Sequence, residues 1–111
     1  MDTKIEKMLW ESRANDLLDT MSAYGMMLDK INRHTHDIIT TALIDKKHNK
    51  VINISQYDIE LPDGTKVKEV SLTADGEISI NGTELFLRHL EPYDKIKIAQ
   101  GIISKNIEIF S

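Results

Sequence analysis

Apolar residues repeat with the period of an α-helix through most of the first 42 residues of this chain. They are separated by alternating steps of three and four residues, and only Thr35 interrupts them. No proline precedes Pro62, and Gly25 is the only glycine in this stretch, so nothing strongly helix-breaking occurs early. The positions of this apolar stripe are Trp10, Ala14, Leu17, Met21, Tyr24, Leu28, Ile31, Ile38 and Ala42.

A helix of this length exposes more apolar surface than a domain of 111 residues can cover. We therefore expect part of the stripe to contact a partner, and we expect that partner to be a second copy of the chain. Three consecutive apolar residues, 26–28, cover about 300° of a helix at about 100° per residue, which one core can hardly bury. The alternative is an ordinary helix that packs only on its own core. The predicted oligomer interface consists of Trp10, Leu17, Met21, Tyr24, Met27, Leu28 and Ile31.

The end of this helix is ambiguous in the sequence. Residues 32–37 are polar and include types that favour caps and turns, which predicts a helix over residues 1–33. Residues 38–44 are rich in β-branched side chains, which favours a strand. Continuation of the helix is the alternative, because Ile38 and Ala42 keep the spacing of the stripe.

Farther along the chain the apolar period changes to two, which is typical of strands. Turn signals with Asp-Gly or Asn-Gly follow at 62–65, 74–77 and 81–83, and they predict tight hairpins in a β-meander over residues 38–81. Pro92 then opens a C-terminal helical segment over residues 84–111. The sequence therefore predicts one α+β domain, residues 1–111, with a long N-terminal helix, a small antiparallel β-meander and a short C-terminal helix.

Charge and composition narrow the partners. The net charge is −4, and the one short basic cluster, residues 46–50, is typical of a solvated turn, so we expect no nucleic-acid partner. No apolar run is long enough to span a bilayer and the N-terminus lacks an apolar signal core, so we expect no membrane partner. Because cysteine is absent, disulfides and thiolate sites are excluded. These features together predict a cytoplasmic protein.

Few residues suggest catalytic chemistry. His34 and His36 lie close together, but a metal site needs three or four converging ligands, so we predict no metal and no cofactor. The hypothesis of a metal-dependent hydrolase would be supported by these two histidines alone. The sequence has no nucleophile-elbow motif and no glycine-rich phosphate loop. We therefore predict no catalytic residues and expect that the protein is not an enzyme.

The leading functional hypothesis is a non-enzymatic, homo-oligomeric protein-interaction module. Its size and acidity are typical of small accessory or inhibitor-type proteins, such as viral or phage factors that bind and block a partner. The alternative is a small-molecule binding protein that sequesters an anionic, nucleotide-type ligand at a subunit interface, because anions need several cationic groups together. The candidate ligand-binding residues for that alternative are Arg33, His34, Lys46, Lys47, Arg88 and His89.

Overall fold

The structure, a computed structural model, describes residues 3–22, 28–45, 50–82 and 85–111. Within these ranges three α-helices accompany an antiparallel sheet of four strands, in the order β1-β2-β3-β4. This arrangement confirms the predicted α+β class with N-terminal and C-terminal helices. The elements are α1 (Thr3–Ser22), α2 (Leu28–Ile44), β1 (Val51–Asn53), β2 (Glu69–Leu72), β3 (Ile78–Ile80), β4 (Leu85–Phe86) and α3 (Pro92–Ile109), with short 3-10 turns at Ser55–Tyr57 and Leu87–His89.

The segment 38–44 belongs to helix α2, so the prediction of a strand there is wrong. Ile38, Ile39, Ala42 and Leu43 are each 3% exposed or less, and their spacing places them on one side of a helix. β-Branching lowers helix propensity by only a few tenths of a kcal/mol per residue, roughly, and burial of this apolar side outweighs it. The sheet accordingly begins at β1, and it gains β4 from the segment that the sequence predicted to be helical.

The apolar stripe is divided between two packed helices. A straight helix over residues 1–33 would be about 50 Å long at about 1.5 Å per residue. The longest dimension of the molecule is 38 Å, which corrects the prediction of one continuous helix. Helices α1 and α2 instead contact each other and both pack against α3. This arrangement lets a small domain bury far more of the stripe than one projecting helix could.

The core lies between the helices and one face of the sheet. Ile52 of β1 is opposite Val70 of β2, which is opposite Ile80 of β3, and all three are fully buried. Thr35, which interrupts the stripe, is also fully buried, and its hydroxyl donates to the Ile31 carbonyl at 2.8 Å. Thr35 can therefore lie on the buried side of α2, because its hydroxyl has an acceptor within its own helix.

Two of the predicted turns are closed by aspartate side chains. Asp63 accepts a hydrogen bond from the Thr65 backbone N–H at 3.0 Å, and this bond lowers the pKa of Asp63 below its usual 3.8. Asp75 accepts from the Thr73 hydroxyl, and that hydrogen bond likewise lowers the pKa of Asp75. Both shifts arise because the donors stabilise the charged carboxylate.

Asn81 fixes the turn after β3. Its backbone φ is +52°, a left-handed conformation that asparagine tolerates better than most residues. Its side-chain oxygen accepts from the backbone N–H groups of Lys68 and Glu69, at 2.7 and 3.2 Å. Its amide nitrogen donates to the Lys66 carbonyl at 2.8 Å. The Asn-Gly signal therefore marks a turn whose first residue also ties down the neighbouring strand.

Candidate functional site

Three of the seven residues of the predicted oligomer interface are buried inside the single chain. Trp10 and Leu17 are each 1% exposed, and Ile31 is 5% exposed. The guanidinium of Arg13 lies 4.3 Å from the centre of the Trp10 ring and covers it further. These three predicted interface residues are therefore core residues, which corrects their assignment. The remaining four have side chains outside the described part of the structure: Met21, Tyr24, Met27 and Leu28.

Helix α1 carries a second apolar surface on its other side. Ile5, Met8 and Leu9 are 51%, 61% and 42% exposed. At about 100° per residue they lie about 80 to 180° around the axis from Trp10 and Leu17. We call this surface, Ile5 with Met8 and Leu9, the outer face of α1. The helix is thus apolar on two sides, and within the described part of the structure only the Trp10 side is covered.

The outer face is bordered by charges of opposite sign. Lys4 and Glu11 are both exposed and lie seven residues apart, which places them on the same side of the helix. They stand at the two ends of the apolar patch. Sequence periodicity did not separate this patch from the stripe, because residues 5, 8 and 9 also follow three- and four-residue steps.

A pocket of about 270 Å³ lies between α2, the sheet and the start of α3. Arg33 of α2, Arg88 of the second 3-10 turn and Lys95 of α3 line it, together with two buried apolar side chains, Ile78 and Leu87. We call this site the cationic pocket. Two of the six predicted ligand-binding residues, Arg33 and Arg88, thus lie at one site.

Two of the three cations are held in place by neighbouring side chains. Arg88 Nε lies 3.3 Å from Glu77 Oε2, and its guanidinium lies 5.3 Å from the centre of the Phe86 ring. Lys95 Nζ donates to Asn32 Oδ1 at 3.4 Å. Arg33 is exposed and forms no ion pair with any described residue. The pocket therefore combines two oriented cations with one that can reorient toward a ligand.

Two other predicted ligand-binding residues, His34 and His89, do not line this pocket. His34 is half-buried, and its Nε2 has no hydrogen-bond partner among the described residues. The exposed ring of His89 packs edge-on against Phe86, with 6.0 Å between ring centres. Lys46 and Lys47 lie outside the described residues. Sequence reasoning missed Lys95, which is 62 positions from Arg33 and carries no local signal.

The two neighbouring histidines point away from each other. Both lie in α2, where a separation of two residues corresponds to about 200° around the axis. His34 is half-buried, whereas His36 is exposed and lines the cationic pocket. In the described ranges no three His, Asp or Glu side chains are grouped so that they could hold a metal ion.

A larger pocket, about 440 Å³, lies between α3 and the loop after the first 3-10 turn. Several of its polar groups already bind one another or nearby residues: Asp58 lies 2.9 Å from Lys66 Nζ, and the Tyr57 hydroxyl donates to Glu108 at 3.1 Å. Burial, and then this hydrogen bond, raise the pKa of Tyr57 above 10.0. Gly101 contributes no side chain to its wall. We consider it a weaker candidate, because binding there would have to replace existing contacts.

Relatives give no guide to these surfaces. No protein-family model, no curated protein and no solved structure matches the chain. Among the described helices, none is both long and apolar enough to cross a membrane. The function therefore has to be inferred from the geometry of the outer face of α1 and of the cationic pocket.

Proposed function

We propose that this protein is a non-enzymatic protein-interaction module that associates with a second copy of itself through the outer face of α1. One observation carries the proposal: α1 is buried on its Trp10 side, yet it exposes Ile5, Met8 and Leu9 on the other. Removing apolar surface from water is favourable by about 25 cal/mol per Å². Contiguous apolar patches of this kind are typical of interaction sites.

A second copy fits this surface because the charges at its ends are self-complementary. A two-fold interface brings the same patch of both copies together in opposite directions. If two α1 helices cross near Met8, Ile5 and Leu9 of each copy meet the patch of the other. Lys4 of one copy then lies beside Glu11 of the other, because the two residues are on one side of the helix and on opposite sides of the crossing point. Symmetry forms this charge pair twice.

The cellular role that we propose follows from composition. An acidic chain of 111 residues suits a small accessory or inhibitor-type protein that blocks a partner protein. We place it in the cytoplasm because it has no cysteine for an oxidising compartment to pair. The absence of a catalytic role is part of the same proposal.

Sedimentation velocity over a range of protein concentrations tests the association. We expect the wild type to form a reversible dimer and Met8→Asp to be monomeric, since an unpaired charge in a desolvated interface costs several kcal/mol, roughly. Aspartate in the first two turns of a helix is compatible with the helix dipole, so the variant should fold. Leu18→Asp is the matched control, because Leu18 is 53% exposed on the same helix but lies outside the outer face.

A charge exchange tests the crossing geometry. Lys4→Glu should weaken the dimer by opposing Glu11 with a like charge, and the double variant Lys4→Glu/Glu11→Lys should restore it. A wild type that stays monomeric at every concentration would rule out self-association. Equal weakening in the single and double variants would show that the two residues do not meet across the interface.

A further inference from the structure

We infer that the cationic pocket binds a small organic carboxylate with an apolar body, at a site separate from the outer face of α1. The first support is the convergence of three cations from separate elements. Arg33, Arg88 and Lys95 are brought together only by folding, and all three line one concave surface. Arginine and lysine donate charge-assisted hydrogen bonds to carboxylates, and arginine can donate two in parallel.

Apolar side chains also line the pocket, which favours a ligand with an apolar part. Ile78 and Leu87 are 2% and 3% exposed, yet both contribute to the lining. A fully hydrated inorganic anion would leave this surface without a partner. Binding sites for small molecules commonly combine an apolar lining with a few convergent polar groups.

The pocket, about 270 Å³ in volume, has room for a small amphipathic anion. A nucleotide-type anion is the alternative hypothesis from the sequence, and the charge of the lining distinguishes the two.

The charge balance favours a monoanion. Arg33, Arg88 and Lys95 carry three positive charges, and two carboxylates, Asp37 and Glu77, also line the pocket. The lining is therefore one charge positive with His36 neutral. A carboxylate balances this charge, whereas a phosphate monoester near neutral pH brings additional negative charge close to Asp37 and Glu77.

Backbone-amide NMR titration tests this site with four probes of similar or smaller size. We expect 3-phenylpropionate to shift the amides of Arg33, Arg88 and Lys95 with a dissociation constant in the millimolar range or below. The neutral 3-phenylpropionamide and the small anion acetate should each bind at least about tenfold more weakly, because each lacks one half of the recognition. Phenyl phosphate should bind more weakly than the carboxylate.

Variants that lower and raise affinity complete the test. Arg33→Gln should lower the affinity for 3-phenylpropionate by about tenfold. Lys68→Gln removes an exposed charge elsewhere and should leave this affinity unchanged. Glu77→Gln should raise the affinity by about threefold, because it removes a negative charge from the pocket and the ion pair that holds Arg88. A gain in affinity cannot result from misfolding, so this variant separates binding from stability.

Three results would overturn the inference. The first is the absence of shifts at these amides at millimolar 3-phenylpropionate. The second is equal binding of the acid and its amide, which would show an apolar cavity without anion recognition. The third is tighter binding of phenyl phosphate, which would contradict the charge balance. Because Met8→Asp does not touch this pocket, it should bind the carboxylate as the wild type does, whatever its oligomeric state.

Discussion

Gly101 in the middle of α3 allows a sharp test of how the helix packs on the sheet side of the molecule. A Cβ atom added at residue 101 would lie 2.7 Å from Ile59 Cδ1 and 3.6 Å from Ile54 Cδ1. The first distance is too short for two carbon atoms, whereas the second is an ordinary contact. The substitution Gly101→Ala therefore forces Ile59 to move, and only Ile59.

The expected free-energy change is the difference between two opposing effects. In a helix interior, alanine is more favourable than glycine by about 1 kcal/mol. Displacing a buried side chain such as Ile59 costs about 1 to 3 kcal/mol. We therefore expect Gly101→Ala to lower the free energy of unfolding by about 1 kcal/mol in the wild-type background. In an Ile59→Val background the obstructing Cδ1 is absent, and the same substitution should raise it by about 1 kcal/mol.

Urea unfolding of the four proteins in this cycle measures the coupling. Ile59→Val alone should cost about 1 kcal/mol, because it removes one buried methylene group. The coupling between the two positions should then be about 2 kcal/mol, well above the few tenths expected for independent sites. Additive effects, or a stabilised Gly101→Ala single variant, would refute the close approach of α3 to Ile59.

Three further sets of substitutions test the turns and the buried side of α2. The lowered pKa values of Asp63 and Asp75 imply a contribution to stability that is present above the unfolded pKa and lost as pH falls through the folded pKa. The double variant Asp63→Asn/Asp75→Asn should therefore lose less stability than the wild type between about pH 7 and about pH 3, as measured by the urea midpoint. In thermal unfolding, Asn81→Gly should destabilise the protein by about 2 kcal/mol, because the hydrogen bonds of the Asn81 side chain are lost. Asn81→Ala should destabilise it by about 1 kcal/mol more, because alanine does not tolerate the left-handed backbone at this position. Thr35→Val should change stability by less than about 1 kcal/mol, because the carbonyl that its hydroxyl contacts belongs to the helix ladder; a larger loss in chemical denaturation would contradict that view.

Turns and helix starts could be predicted because their chemistry is local. Pro92 is found at the start of α3, where its fixed φ and missing N–H are tolerated. The Asn-Gly pair at 81–82 adopts positive φ at both residues, as the hairpin prediction required. These features depend on neighbours in sequence, so a single chain is enough to identify them.

The segment 38–44 could not be assigned from local preference. Its β-branched residues favour a strand, and its three- and four-residue spacing favours a helix. The choice is made by burial against α3 and the sheet, which involves residues far away in the sequence. The cationic pocket could be predicted only in part for the same reason. Arg33 and Lys95 lie at one site solely because α2 and α3 pack together.

The two sides of α1 show why periodicity alone cannot identify an interface. A helical period marks which residues share a side, but it does not say whether the chain or a partner covers that side. Trp10 and Leu17 belong to the longer apolar series, and the domain itself covers them. The shorter series at Ile5, Met8 and Leu9 remains exposed because the chain has no further element to place on it among its described residues. The longer series therefore stabilises the fold, and the shorter one is the surface that the proposed association would use.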